Sequence, residues 1–86
     1  MEVQLPRYLT PALKRTLDEF AAFYRKHGYA PTYRELVEAG AASSSSVARS
    51  RVEQLENHGM IRIGRRAQAR ARSLTELGRV TAERNN

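Results

Sequence analysis

The hydrophobic residues in the first third of the chain recur with the period of an α-helix. Leu13, Leu17, Phe20, Ala21 and Tyr24 fall at positions i, i+4, i+7, i+8 and i+11. This spacing places all five side chains on one face of a helix. We therefore predict an amphipathic first helix that buries this face.

Residues with strong terminal preferences mark both ends of that helix. Thr10 is a favoured N-cap, and the residue after it is a proline, which suits the first helical position. Lys26 and His27 fall in the last turn, where positive charge opposes the helix dipole, and Gly28 can close the helix in the left-handed conformation. These signals predict a helix from Pro11 to about His27.

A second, shorter helix is indicated by "PTYREL". The proline disfavours helix just before it, and Thr32 and Glu35 have the spacing of a capping box, in which each side chain caps the other's backbone amide. The segment Tyr33–Ala39 is predicted as this helix, and Gly40 ends it. A helix of two turns is marginal alone and must be held by packing.

The serine run Ser43–Ser46 can be either a flexible linker or the start of a third helix. We interpret it as a helix start, because serine is a favoured cap and a periodic segment follows at once. Gly59 ends this third helix. Its predicted inward residues are Val47, Ala48, Val52 and Leu55, and its predicted outward residues are Arg49, Glu53, Glu56 and Asn57.

After Gly59 the pattern changes to the two-residue period of a β-strand. "MIRIG" predicts a short strand, and the following residues alternate alanines with Gln68, Arg70 and Arg72, which predicts a hairpin with its tip near residues 64–67. A frayed wing or a helix is an alternative, because alanine has weak strand propensity. Thr75 is then the expected N-cap of a short last helix that carries Leu77 and Val80 and that Gly78 weakens.

Taken in order, these elements predict a mainly α protein with a small β-hairpin, a winged helix-turn-helix. It consists of a three-helix core, a two-stranded wing and a short C-terminal helix. We expect one domain over residues 1–86, with an N-terminal arm at 1–9 and the C-terminal helix and tail at 76–86.

Composition adds a charge asymmetry to this picture. Residues 1–40 contain six basic and five acidic residues, whereas residues 41–86 contain nine arginines and four glutamates. Such an asymmetry points to a polyanionic partner on one side of the domain, with a solubilising surface as the alternative. Cysteine is absent, and no signal peptide or membrane-spanning run is evident, so we expect a cytoplasmic protein that makes no membrane contact.

A family resemblance rests on several short motifs. They are Gly28-Tyr29, Pro31-Thr32, Arg34-Glu35-Leu36, the serine run, Leu55-Glu56 and Gly59-Met60-Ile61. In this spacing they resemble the DNA-binding domain of LexA repressors. The chain departs from the family in having Ala41 after Gly40, where the family usually has its glycine, so the turn is expected to be shifted. The peptidase domain of those repressors is also expected to be absent, so self-cleavage is not carried over.

The resemblance implies that the third helix enters the major groove and that the wing grips the backbone or the minor groove. Arg49 suits the O6 and N7 atoms of guanine, and Val47 suits a thymine methyl group. The alternatives are ion pairs of Arg49 or Arg51 with Glu53 or Glu56, a pair of Arg34 with Glu38, and a merely solubilising wing. The predicted DNA-binding residues are Ser44, Ser45, Ser46, Val47, Arg49, Ser50, Arg51, Arg34, Arg65, Arg66, Arg70 and Arg72.

The sequence thus predicts a sequence-specific regulator of transcription, a repressor, that binds double-stranded DNA, with a homodimer on a palindromic site as an added hypothesis. A winged-helix protein-interaction module, such as a phage-like inhibitor of a host nucleic-acid enzyme, is the alternative, and an architectural or RNA-binding protein is a third. No cofactor, metal site or enzymatic activity is expected, because no catalytic arrangement of side chains is evident. Tyr24, Tyr29 and Tyr33 are expected to pack at the corner between the first two helices.

Overall fold

The computed structural model describes residues 9–62 and 72–83. Helices dominate these residues, and a two-stranded antiparallel sheet follows the third helix. The predicted winged helix-turn-helix is confirmed. The elements are α1 (Pro11–His27), α2 (Tyr33–Glu38), α3 (Ser45–Asn57), β1 (Ile61–Arg62), β2 (Ser73–Leu74) and α4 (Glu76–Glu83).

The predicted caps hold the first two helices. The Thr10 hydroxyl accepts a hydrogen bond from the Leu13 amide at 3.2 Å, and α1 ends as predicted before a left-handed Gly28. Both halves of the capping box are formed: the Thr32 amide donates to Glu35 Oε1 at 2.8 Å, and the Glu35 amide donates to the Thr32 hydroxyl at 3.1 Å. Local hydrogen bonding therefore sets where these helices begin.

Glycines in the left-handed conformation end α2 and α3 in the same way. Gly40 has a φ of 81°, and the amide of the next residue, Ala41, donates to the carbonyl of Leu36 at 2.9 Å. Gly59 repeats the geometry with a φ of 78°, followed by a 2.9 Å bond from the Met60 amide to the Leu55 carbonyl. Each is a Schellman motif, which turns the chain back over the helix end. The residue after each glycine is buried with its helical partner.

The core lies where α1 crosses α2 and α3. Thr16 is a polar member of this core, and its hydroxyl donates to the carbonyls of Ala12 at 3.1 Å and Ala41 at 3.2 Å. The second bond ties the middle of α1 to the turn between α2 and α3. The largest fully buried side chains are Leu17, Phe20, Leu36, Val52, Leu55, Met60 and Ile61.

The strands β1 and β2 form the base of the wing, which we call the wing base. Ile61 pairs with Leu74 and Arg62 with Ser73 in an antiparallel register. Ile61 is buried and Arg62 is exposed, which confirms the predicted alternation of the first strand. The hairpin tip predicted near residues 64–67 and the predicted return strand before Arg72 lie outside the described residues.

The helix α4 closes the domain by packing on α1 and on the wing base. The Thr75 hydroxyl accepts from the Gly78 amide at 3.0 Å, so the predicted cap is confirmed. The buried residues of α4 are Gly78 and Thr81, whereas Leu77 is half exposed. Gly78 meets the backbone carbonyl of Met60, so the residue that weakens α4 by propensity is the one that lets it approach the wing base.

Candidate nucleic-acid interface

The serine run is the start of a helix. Ser44 is the N-cap of α3, and its hydroxyl accepts from the Val47 amide at 3.2 Å. Ser43, Ser44, Ser45 and Ser46 are all exposed. Within residues 9–62 and 72–83, the amides of Ser45 and Ser46 have no acceptor, so the end of α3 offers free donors and a partial positive charge at the surface.

The exposed side of α3 is a continuous strip that we call the outer face, formed by Ser45, Ser46, Arg49, Ser50 and Glu53. The opposite side of the helix packs into the core through Ala48, Val52 and Leu55. Val47 lies on the flank and is half buried. The core contacts therefore fix which way α3 faces, and its small hydroxyl residues allow a second surface to approach closely.

Arg49 stands on the outer face and is paired with Glu53. Its Nε donates to Glu53 Oε1 at 2.9 Å, with 69% of the Arg49 side chain and 53% of the Glu53 side chain exposed. The hydrogen bond that Arg49 donates to Glu53, together with the charge of that carboxylate, raises the pKa of the Arg49 guanidinium. Both side chains are largely exposed, so water screens the pair and it contributes little to stability.

Arg51 belongs to another side of α3 than Arg49. Residues that are two positions apart in a helix are separated by about 200° around its axis. The two arginines therefore lie on nearly opposite sides of α3. Arg51 is half buried, and its Nη1 donates to the Ala41 carbonyl at 2.9 Å. Because Thr16 donates to the same carbonyl, the turn of the helix-turn-helix is held from both α1 and α3. The ion pair with a glutamate considered for Arg51 does not form among the described residues.

Arg72 does not face solvent, in contrast to its place among the predicted DNA contacts. Its Nε donates to Glu56 Oε1 at 3.2 Å and its Nη2 to the Tyr33 hydroxyl at 2.7 Å. The guanidinium carbon also lies 5.2 Å from the centre of the Tyr33 ring. Only 10% of the Arg72 side chain and 6% of the Glu56 side chain are exposed. The prediction that Glu56 points outward is therefore wrong.

These contacts give Arg72 a structural part. It joins the start of β2 to α3 through Glu56 and to α2 through Tyr33. Turning Arg72 outward to a phosphate would leave the Glu56 carboxylate buried and unpaired, which typically costs about 3–5 kcal/mol. Among the described residues, the second Glu56 oxygen, Oε2, has no hydrogen-bond partner, so within them this carboxylate depends strongly on Arg72.

The remaining predicted contacts divide between exposed and undescribed positions. Arg34 is exposed and forms no ion pair with Glu38 or with any other described residue. Arg65, Arg66 and Arg70 lie outside the described residues. The described residues contain no cluster of three or more side chains suited to a metal ion, and no helix among them has the length and hydrophobicity to cross a bilayer.

Each of the three tyrosines contacts another side chain, but Tyr29 is 42% exposed, and only Tyr24 and Tyr33 pack against the core. Tyr24 stacks on Phe20 with ring centres 6.4 Å apart, and Tyr29 meets Phe23 edge-on at 5.8 Å. Tyr33 lies against Arg72, a contact 39 residues distant along the chain.

Helical periodicity contained a signal for two of the residues that the sequence patterns did not single out. Thr16 lies three residues after Leu13 and Glu56 four after Val52, so both extend a buried face. The signal was overridden because threonine and glutamate are usually exposed.

A short second helix, a tight turn, a third helix with one exposed face and an antiparallel wing base together define a winged helix-turn-helix domain of the DNA-binding class. The model of the LexA DNA binding domain family matches residues 6–73, which is 68 of the 86 residues. The chain belongs to this family, and DNA is the partner that membership implies. No curated protein and no solved structure gives a significant match.

Proposed function

We propose that the protein is a sequence-specific, double-stranded-DNA-binding regulator of transcription that acts as a repressor. In this proposal residues 1–86 work as one domain, α3 enters the major groove by its outer face, and Arg65, Arg66 and Arg70 contact the backbone or the minor groove. Bound protein would then exclude other proteins from the same stretch of DNA.

The observation that carries the proposal is the orientation of α3 in a chain of the LexA DNA-binding family. Its apolar side is fixed in the core, while its serines and Arg49 are exposed together. Serine hydroxyls accept and donate hydrogen bonds, and an arginine can bind guanine through two of them. Free amides at the start of the helix favour a nearby phosphate.

The sequence-predicted contacts are revised by this geometry. Ser44, Ser45, Ser46, Val47, Arg49 and Ser50 remain proposed contacts on or beside the outer face, and Arg34 remains a proposed phosphate contact. Arg51 and Arg72 are proposed to hold the domain together, because each is hydrogen-bonded inside it.

A two-fold dimer on a palindromic site extends the proposal. One domain of this size reads few base pairs, and pairing two copies would add the binding free energies of two half-sites. Leu77 is 50% exposed on α4 and is one apolar residue that such a contact could use.

Selection of bound sites from a random duplex pool, followed by titration of the selected site, tests this function. We expect a defined sequence to emerge and Arg49→Ala to lower the preference for it over random duplex by about tenfold, within the range of one bidentate base contact. Arg79→Ala is the matched control, since Arg79 is also exposed and paired with glutamates but lies on α4. It should keep the wild-type preference.

Two results would contradict the proposal. Equal affinity for all duplexes would indicate an architectural role instead of a regulator with a defined site. Absence of any duplex binding at low salt would favour the protein-interaction alternative.

A further inference from the structure

The outer face of α3 contains a carboxylate where a DNA-binding surface is expected to be neutral or positive. Glu53 lies one turn after Arg49, is more than half exposed, and holds the Nε of that arginine at 2.9 Å. A negative group here repels the phosphates of any duplex that approaches α3. Glu53 therefore lowers the affinity of α3 for DNA of any sequence, unless it also improves the binding of one particular sequence.

That effect follows from the hydrogen-bonding capacity of arginine. A guanidinium carries five N–H donors in a rigid plane, and the bond to Glu53 uses the one on Nε. The two terminal nitrogens of Arg49 keep their N–H groups, and these form the fork that matches the O6 and N7 atoms of guanine. A side chain already held in one orientation loses less conformational freedom when it binds.

We propose that Glu53 is a specificity-determining positioning residue that directs Arg49 toward a base and away from the phosphates. This inference rests on the proposed function. A phosphate that approaches the terminal nitrogens of Arg49 is repelled by the nearby carboxylate, whereas a neutral base edge is not. A guanine bound by the terminal nitrogens leaves the Arg49–Glu53 bond intact. Glu53 thus weakens unspecific binding more than specific binding, which is how discrimination arises from a repulsive group.

The test compares Glu53→Gln with Glu76→Gln on the selected site and on a random duplex. Both changes remove one exposed carboxylate that is paired with an arginine, but Glu76 lies on α4. Glu53→Gln should raise affinity for random duplex by roughly three- to tenfold and should lower the preference for the selected site by about fivefold or more. Glu76→Gln should leave the preference unchanged, and melting curves should show that both variants are folded.

A double-mutant cycle separates positioning from simple repulsion. In an Arg49→Ala background, Glu53→Gln should no longer change the preference, because its effect acts through Arg49. An equal rise in affinity for both duplexes, or a full effect of Glu53→Gln without Arg49, would overturn the inference while leaving the regulator intact. A wild-type protein with no preference at all would refute the proposed function instead.

Discussion

Replacing Gly78 with alanine tests how α4 is held against the wing base. By propensity alone this change stabilises a helix by about 1 kcal/mol. In the structure, an added Cβ would lie 2.9 Å from the carbonyl carbon of Met60, still closer to the carbonyl oxygen, and 3.0 Å from Leu74 Cδ1. Because the obstructing atoms include backbone, a change of side-chain rotamer cannot remove the clash.

The expected loss of stability follows from three contributions. Forcing a methyl group into a packed contact costs about 1–3 kcal/mol. The Met60 carbonyl also accepts a 3.1 Å bond from the Thr75 amide, and displacing α4 weakens it by roughly 0.5–1.5 kcal/mol. After subtraction of the propensity gain, Gly78→Ala should lower the free energy of unfolding by about 2 kcal/mol. In a chain of this size the melting temperature would fall by roughly 10 °C.

Thermal unfolding gives the global loss, and amide hydrogen exchange locates it. In Gly78→Ala the Thr75 amide should exchange faster than the global loss of stability explains, because its own bond is disturbed. Gly28→Ala is the control: its φ of 78° makes alanine cost about 1–2 kcal/mol, but an added Cβ there has open space. In this control variant the Thr75 amide should exchange at the rate that the global free energy of unfolding predicts.

A melting temperature for Gly78→Ala at or above that of the wild type would refute this reasoning. It would mean that α4 can shift away from Met60 without a loss of stability, so that helix propensity alone determines the effect of the substitution. Leu74→Ala should not rescue the variant, because it removes only the flexible member of the clash.

Two further predictions concern the buried and the wing arginines. Glu56→Ala should lower the free energy of unfolding, measured by urea denaturation, by about 3 kcal/mol, because it leaves the Arg72 charge buried without its carboxylate partner. Tyr33→Phe should lower it by about 1 kcal/mol, because it removes one hydrogen bond. Equal losses for the two variants would contradict the conclusion that the ion pair matters more than the hydrogen bond. Joint replacement of Arg65, Arg66 and Arg70 by glutamine should reduce the slope of log affinity against log salt concentration by about 2.7, or 0.9 for each phosphate contact. An unchanged slope would show that these three arginines do not contact DNA phosphates.

The caps and most helix bounds were predictable from sequence because their causes are local, although α2 ends at Glu38, one residue before the predicted Ala39. Thr10, Ser44 and Thr75 each accept a hydrogen bond from an amide three residues later, and the Thr32–Glu35 capping box spans the same distance. Such contacts depend on few neighbours, so a short motif contains nearly all the information that they need. Helix α1 consequently begins and ends as predicted.

The orientation of the charged residues was not predictable in the same way. Arg72 meets Glu56 across 16 residues and Tyr33 across 39, so no local pattern distinguishes it from an exposed wing arginine. Gly78 poses the same difficulty, because its role depends on a carbonyl 18 positions earlier in the chain. Sequence alone weighs it only as a poor helix former.

The ion pairs show which residues account for the excess positive charge of the second half of the chain. All four glutamates of residues 41–86 pair with Arg49, Arg72 or Arg79. These four glutamates and three arginines carry a net charge of −1. The positive charge of residues 41–86, a net +5, therefore comes from the other six arginines, which are Arg51, Arg62, Arg65, Arg66, Arg70 and Arg84. Four of the six fall between α3 and β2 in the sequence.

The outer face of α3, by contrast, has one arginine and one glutamate and is neutral in sum. A neutral surface attracts a polyanion weakly, but its hydrogen-bonding groups can still distinguish base edges. We therefore expect attraction to DNA to come mainly from the segment between α3 and β2, and discrimination between sequences to come from α3. Salt should then change the affinity far more than it changes the preference for one site, because only phosphate contacts release counterions.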